Sequence, residues 1–182
     1  IKAEIKETYV VGTTGNEVPV YSVTTDGTYI YAAIAGGILR GEISNPSLNN
    51  FAEWQMVYPN TFTGVTFNKM CWLNGNLAVN FHSATADSVV IVNTTTFATG
   101  TTLLSGGFEL RQLKTENNRL YAVNNYSVNE WDNNFQSLRQ IYGSANYQNT
   151  DMFGIATGSG NQLYIADRNN GLVNYTDNNN IT

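Results

Sequence analysis

The sequence contains one cysteine and one histidine, which removes several kinds of chemistry at once. Cys71 has no second cysteine to pair with, so no internal disulfide holds the fold. It lies in the apolar run Met70-Cys71-Trp72-Leu73 and reads as an inert buried thiol. A zinc site asks for three or four nitrogen and sulfur ligands, more than His82 and Cys71 together supply. Charged residues make up only 13 % of the chain, against about 25 % in ordinary soluble domains. Nine lysines and arginines in a chain of net charge −5 leave no basic face for phosphates, so nucleic acid is excluded as a partner. No apolar run reaches the ~18 residues of a membrane-crossing helix. The opening Ile1-Lys2-Ala3-Glu4-Ile5-Lys6 lacks the apolar core of a signal peptide. It also lacks an initiator methionine, as expected of a piece trimmed from something longer. Nowhere does a 3.6-residue apolar stripe run between helix caps, so helix should be nearly absent.

What is abundant points the other way. There are 26 Asn, 21 Thr, 11 Tyr, eight Phe and three Trp. Thr and the aromatics suit strands, whereas Asn and Gly suit turns that need positive φ. This is an all-β composition.

A module of strand, tight polar turn and second strand recurs along the chain. The first copy is Val20-Tyr21-Ser22-Val23, turn Asp26-Gly27, then Tyr29-Ile30-Tyr31-Ala32-Ala33. The others begin at Met70-Cys71-Trp72-Leu73, Leu110-Arg111-Gln112-Leu113 and Met152-Phe153-Gly154-Ile155. Their turns are Asn74-Gly75, Asn117-Asn118 and Gly160-Asn161. The register marks Ile30, Leu77, Leu120 and Leu163 are 47, 43 and 43 residues apart, within the ~40–50 of propeller blades. Third strands follow at residues 37–40, 88–92, 127–131 and 171–175, each ending in a polar corner. A variable fourth strand comes next, as at Gln55-Met56-Val57 and Ser137-Leu138-Arg139-Gln140-Ile141.

The expected fold is therefore all-β: about four four-stranded antiparallel β-propeller blades, in one region spanning residues 1–182. The repeat units are 18–60, 61–106, 107–147 and 148–182. The last unit is expected to run out at Asn180-Ile181-Thr182 before its outer strand. Open blade edges make self-association an expectation too.

On these residues the chain resembles PorZ-type proteins. The landmarks are Glu4-Ile5-Lys6-Glu7-Thr8-Tyr9, Asp26 to Ala33, Gly36-Gly37-Ile38 and Asn45 to Phe51, ending at Trp54. The stretch Leu163-Tyr164-Ile165-Ala166-Asp167 with Gly171-Leu172-Val173 also resembles the regulator-type propeller repeats of Bacteroidetes. The resemblance implies a fragment of a seven-bladed propeller in a larger extracytoplasmic protein, in the periplasm or on the outer surface of a Gram-negative cell. It implies a role in type IX secretion, where such proteins attach cargo to anionic lipopolysaccharide beside a sortase-like protease. Envelope proteins, and lipopolysaccharide or another glycan, are the implied partners. The alternative is the sensor propeller of a two-component regulator that recognises glycans.

No catalytic constellation accompanies the repeat, so the chain is expected not to be an enzyme and to need neither metal nor cofactor. His82 stands without a Gly-x-Ser-x-Gly nucleophile or a Cys/His pair. Asp26, Asp132, Asp151, Asp167 and Asp177 fall near turns, where carboxylates accept backbone hydrogen bonds. Asp167 stands out because it ends an inner strand, in reach of the channel mouth. Gly158-Ser159-Gly160 has the look of a phosphate loop, but neither Lys nor helix follows, so it reads as a turn. Among the aromatics, Tyr126 and Trp131 are the candidates for stacking on a ligand. Asp167, Tyr126 and Trp131 are thus the candidate ligand-binding residues.

Overall fold

In the computed structural model, residues 11–12, 18–143, 147–176 and 180–181 are described. The landmark Glu4 to Tyr9 lies outside them. Sixteen strands form four antiparallel sheets, and each strand pairs only with its neighbours in sequence. The first sheet holds β1 (Val20–Thr25), β2 (Tyr29–Ile34), β3 (Gly37–Glu42) and β4 (Gln55–Pro59). The second holds β5 (Thr66–Leu73), β6 (Asn76–His82), β7 (Asp87–Asn93) and β8 (Thr99–Gly106). The third holds β9 (Leu110–Glu116), β10 (Arg119–Asn124), β11 (Ser127–Trp131) and β12 (Ser137–Tyr142). The fourth holds β13 (Met152–Thr157), β14 (Leu163–Asp167), β15 (Gly171–Thr176) and β16 (Asn180–Ile181). Among the described residues the only helix is one 3-10 turn, Phe51–Glu53.

One expectation is corrected. The last sheet does have an outer strand, since β16 pairs with β15 at Tyr175↔Ile181 and Thr176↔Asn180. Asn-rich sequence masked that strand, for nothing in it alternates apolar with polar.

The first hairpin of each sheet closes through the turn its residues favour. Asn74 and Gly75 have φ of 47° and 74°, the left-handed pair that a two-residue hairpin demands. Asn117 and Asn118 repeat this with φ of 50° and 59°. At the first hairpin, Asp26 Oδ1 accepts from the backbone N–H groups of Thr28 and Tyr29 at 2.8 and 2.7 Å.

Alternation along each strand gives every sheet a forward and a backward face. Between the first two sheets, Tyr31, Ala33 and Ile38 meet Phe67, Met70, Leu77 and Val79. The next seam joins Cys71, Leu73, Ala78, Val89 and Ile91 to Leu110, Leu113, Leu120, Ala122 and Trp131. In the last, Tyr121, Val123 and Val128 meet Met152, Ile155, Leu163, Ile165 and Val173. The register marks Leu77, Leu120 and Leu163 are at most 1 % exposed, each contributing about 1.5–3 kcal/mol by burial. Polar groups stitch the innermost strands as well. Ser22 Oγ of β1 accepts from the Met70 N–H of β5 at 3.0 Å. Thr24 Oγ1 accepts from the Trp72 N–H at 3.1 Å, and Gln112 Oε1 of β9 from the Ile155 N–H of β13 at 2.8 Å.

The sheets do not close into a ring. The forward face of the fourth sheet leaves Leu172 72 % exposed, with Phe153 and Ala166 beside it. Those positions correspond to the buried forward faces of the preceding three sheets.

Candidate functional site

Among the described residues, a buried charge cluster opens onto a cleft between the third and fourth sheets. It sits at the end formed by the β9–β10 and β13–β14 turns. Cross-strand register builds it: Glu130 of β11 lies opposite Tyr121 of β10 on one side and Arg139 of β12 on the other. Arg119 Nη1 and Arg139 Nε donate to the two oxygens of Glu130, whose side chain is fully buried. The Tyr121 hydroxyl donates to the same carboxylate at 3.2 Å. Burial, and then the Glu130 charge, push the Tyr121 phenol up to about 12. The hydrogen bond to Glu130 holds the Arg119 guanidinium more firmly protonated than usual.

The fourth sheet supplies the opposite wall. Its first turn begins at Gly158, whose N–H donates to the Gln162 carbonyl at 2.8 Å, and Gly160 takes a φ of 64°. A Cβ at Gly158 would lie 2.7 Å from Gln162 Oε1 and would push the end of that side chain aside. Asn117 Nδ2 donates to Thr157 Oγ1 across the seam at 3.0 Å, and Arg119 Nη2 stands 3.4 Å from Asn161 Oδ1. The space enclosed is about 210 Å³, lined by Arg119, Thr157, Gly158, Asn161 and Gln162 among others. A second cavity of about 350 Å³ adjoins it, sharing Arg119, Arg139 and Asn161 and adding Leu138 and Tyr175. Such an arrangement can hold a polar or anionic group. It contains no nucleophile poised against a base.

The structure places the three sequence candidates elsewhere and does not bring them together. Trp131 is 5 % exposed and packs in the seam between the second and third sheets. Tyr126 is 59 % exposed in the β10–β11 turn, whose Asn124 side chain accepts its N–H at 2.8 Å. Asp167 is buried at the end of β14, the same end of the blades as Tyr126. It accepts from the Tyr147 hydroxyl at 2.8 Å and from the Asn169 and Asn170 N–H groups at 2.9 Å. Burial alone would raise its carboxyl. The hydrogen bonds from Tyr147, Asn170 and Asn169 outweigh that and hold it below the usual range. His82 Nδ1 lies 2.6 Å from the buried Asp87, whose other oxygen accepts the Leu110 N–H at 2.5 Å. Burial pushes the Cys71 thiol far up, away from reactivity. The cleft itself was missed. Its signal was a charged triplet, Arg119, Glu130 and Arg139, on three consecutive strands whose other residues are uncharged, in a chain short of charge.

No family model matches the sequence, and no curated protein matches it. Solved structures do. PorZ, a bacterial surface component of the type-IX secretion system of Porphyromonas gingivalis, superposes with a TM-score of 0.70 at 16 % identity. That match covers 97 % of this chain and 21 % of PorZ. The extracellular domain of the hybrid two-component system BT4673 from B. thetaiotaomicron gives 0.69 at 16 % identity, covering 94 % of this chain and 24 % of that one. The computationally designed Ika4 protein gives 0.64 at 10 % identity, covering 93 % and 98 %. This chain thus spans about a fifth of PorZ and a quarter of the BT4673 domain. Identities this low carry the fold alone, and the fold is that of consecutive β-propeller blades.

Proposed function

We propose that this chain is a non-catalytic binding region of a bacterial envelope protein, working outside the cytoplasm in type IX secretion and cargo attachment. The observation that carries this reading is the superposition on PorZ over nearly the whole chain. The PorZ-like landmarks Asp26 to Ala33 and Asn45 to Trp54 agree with it. The cleft between the third and fourth sheets offers a binding surface on the rigid blades. Partners are envelope proteins, among them a sortase-like protease, and a lipopolysaccharide or other glycan. The similar superposition on the BT4673 extracellular domain favours a second reading, a sensor propeller that recognises a glycan outside the cell.

An affinity capture with the full-length parent from outer membranes of the source bacterium separates the two. Recovery of a sortase-like protease with other secretion components is the expected result. Recovery of glycan-uptake proteins instead would overturn it in favour of the sensor.

Self-association forms part of the same proposal. The forward face of the fourth sheet presents Leu172, Ala166 and Phe153 where each earlier sheet receives a neighbour. In place of the open blade edge expected from the sequence, this face is where the chain is expected to associate with a second copy. Leu172→Asp should shift it to monomer in light scattering after gel filtration. An unchanged elution and mass would exclude the face.

A further inference from the structure

The cleft between the third and fourth sheets combines a guanidinium at its mouth with a rim of neutral amides and hydroxyls. We infer that it takes an acidic sugar, a hexuronic acid unit of a glycan. This inference rests on reading the chain as a binding module and names the ligand class of that site.

The charge comes first. Arg119 commits Nη1 to Glu130 and turns Nη2 to the mouth, where Asn161 Oδ1 at 3.4 Å is a long contact that a better acceptor displaces. Its side chain remains 34 % exposed, so the charge is accessible to a ligand. Among the described lining residues, Glu130 is the one carboxylate, and it is buried behind two guanidiniums. Glu116, which bonds the lining Thr157, is paired with Lys114, so the local balance is cationic in a chain of net charge −5. A guanidinium held from behind by a buried carboxylate and exposed at its other amino group is suited to a ligand carboxylate.

The rim decides what carries that carboxylate. Asn117, Thr157, Asn161 and Gln162 carry neutral donors and acceptors of the kind the hydroxyls of a sugar ring require, with Asn117 Nδ2 engaged by Thr157 and Gln162 Nε2 by Asn174. A phosphate is a poorer match. The Gly158 N–H is already spent on the Gln162 carbonyl, and the turn leads into strand β14, so no nest or helix N-terminus faces the space. The volume agrees. About 210 Å³ is below the ~300–1,000 Å³ of drug-sized pockets and suits one sugar unit. The adjoining cavity, with Tyr175 on its wall, leaves room for the next unit of a chain.

The test is calorimetric titration of the chain with digalacturonate, with its neutral counterpart galactobiose, and with inorganic phosphate. Digalacturonate should bind at least about tenfold tighter than either, a gap of ~1.4 kcal/mol, and should weaken as salt rises. Asn161→Asp sets a carboxylate at the exposed mouth without touching Glu130. It should lower digalacturonate affinity by about tenfold or more and leave the melting temperature unchanged. Equal binding of galactobiose, stronger binding of phosphate, no binding of digalacturonate, or indifference to Asn161→Asp would each overturn the inference. The Asn161→Asp parent is also carried through the affinity capture. If digalacturonate fails while the protein partners are still recovered, the ligand class falls and the binding-module reading stands.

Discussion

Glu130→Leu will lower the unfolding free energy by about 3–5 kcal/mol, the usual cost of removing one member of a buried ionic cluster. The carboxylate is fully buried and accepts from Arg119, Arg139 and the Tyr121 hydroxyl. Without it, two cations and a phenol lose the carboxylate they share, Arg139 and the phenol inside the seam and Arg119 at its open mouth. Leucine fills much the same volume, so the loss reports charge and hydrogen bonding more than a cavity. Urea unfolding monitored by tryptophan fluorescence gives the number. The reciprocal variant, Arg119→Met, keeps Arg139 on the carboxylate and should cost less than half as much. A Glu130→Leu loss below about 1 kcal/mol would mean the cluster behaves as an exposed surface pair and does not tie the sheets.

The second large effect falls on Asp167. Asp167→Ala strips acceptors from the buried Tyr147 hydroxyl, from the N–H groups of Asp151, Asn169 and Asn170, and from the Asn170 side chain. Each buried group left without a partner costs ~1–3 kcal/mol, and with partial rescue by water at the turn the sum should be about 3 kcal/mol. The loss must also depend on pH. The folded carboxyl sits below its ordinary value, so the unfolded chain takes up protons first on acidification. Its contribution is complete above the unfolded pKa of ~3.9 and disappears as pH falls through the folded value. Urea midpoints of the unaltered chain and Asp167→Ala should therefore differ widely at pH 7 and draw together as the pH falls below the ordinary carboxylate value of ~3.9. An equal separation above and below that value would show that the side chain packs rather than accepts hydrogen bonds. The same acid sensitivity is shared by Asp26. Burial raises its carboxyl, but the Tyr29 and Thr28 N–H groups and the Tyr31 hydroxyl bring it down.

The frame of the molecule was legible because the repeat speaks through residues with one physical role each. Leu77, Leu120 and Leu163 mark the same depth in the second strand of their sheets. Asn74-Gly75 and Asn117-Asn118 mark the turns before two of those strands, in the positive-φ conformation that their residue types tolerate. The third strands lie where the apolar runs put them. The cleft was illegible for an equally definite reason. Arg119, Glu130 and Arg139 are joined by antiparallel register, which places residues 11 and 9 apart side by side. No local spacing rule covers that contact, because it depends on turn lengths and on a bulge between Glu130 and Trp131. Asp167 shows the converse. Its place at the end of a strand was read correctly from sequence, but whether a terminal aspartate opens to solvent or closes a turn depends on Tyr147, which lies 20 residues away.

Among the described residues, every strand pairs only with the strand before or after it in the chain. No segment has to wait for a distant partner, as the strands of a Greek key or a parallel sheet do. A sheet of this kind can pair its own strands once its forty or so residues have emerged, becomes stable only as neighbours stack on it, and offers its forward face as the template on which the next one condenses. Synthesis from the N-terminus delivers the sheets in the order in which they stack. The same economy would serve a polypeptide threaded unfolded through a channel: whatever has emerged is already a finished row of blades, and only its leading face remains unfinished.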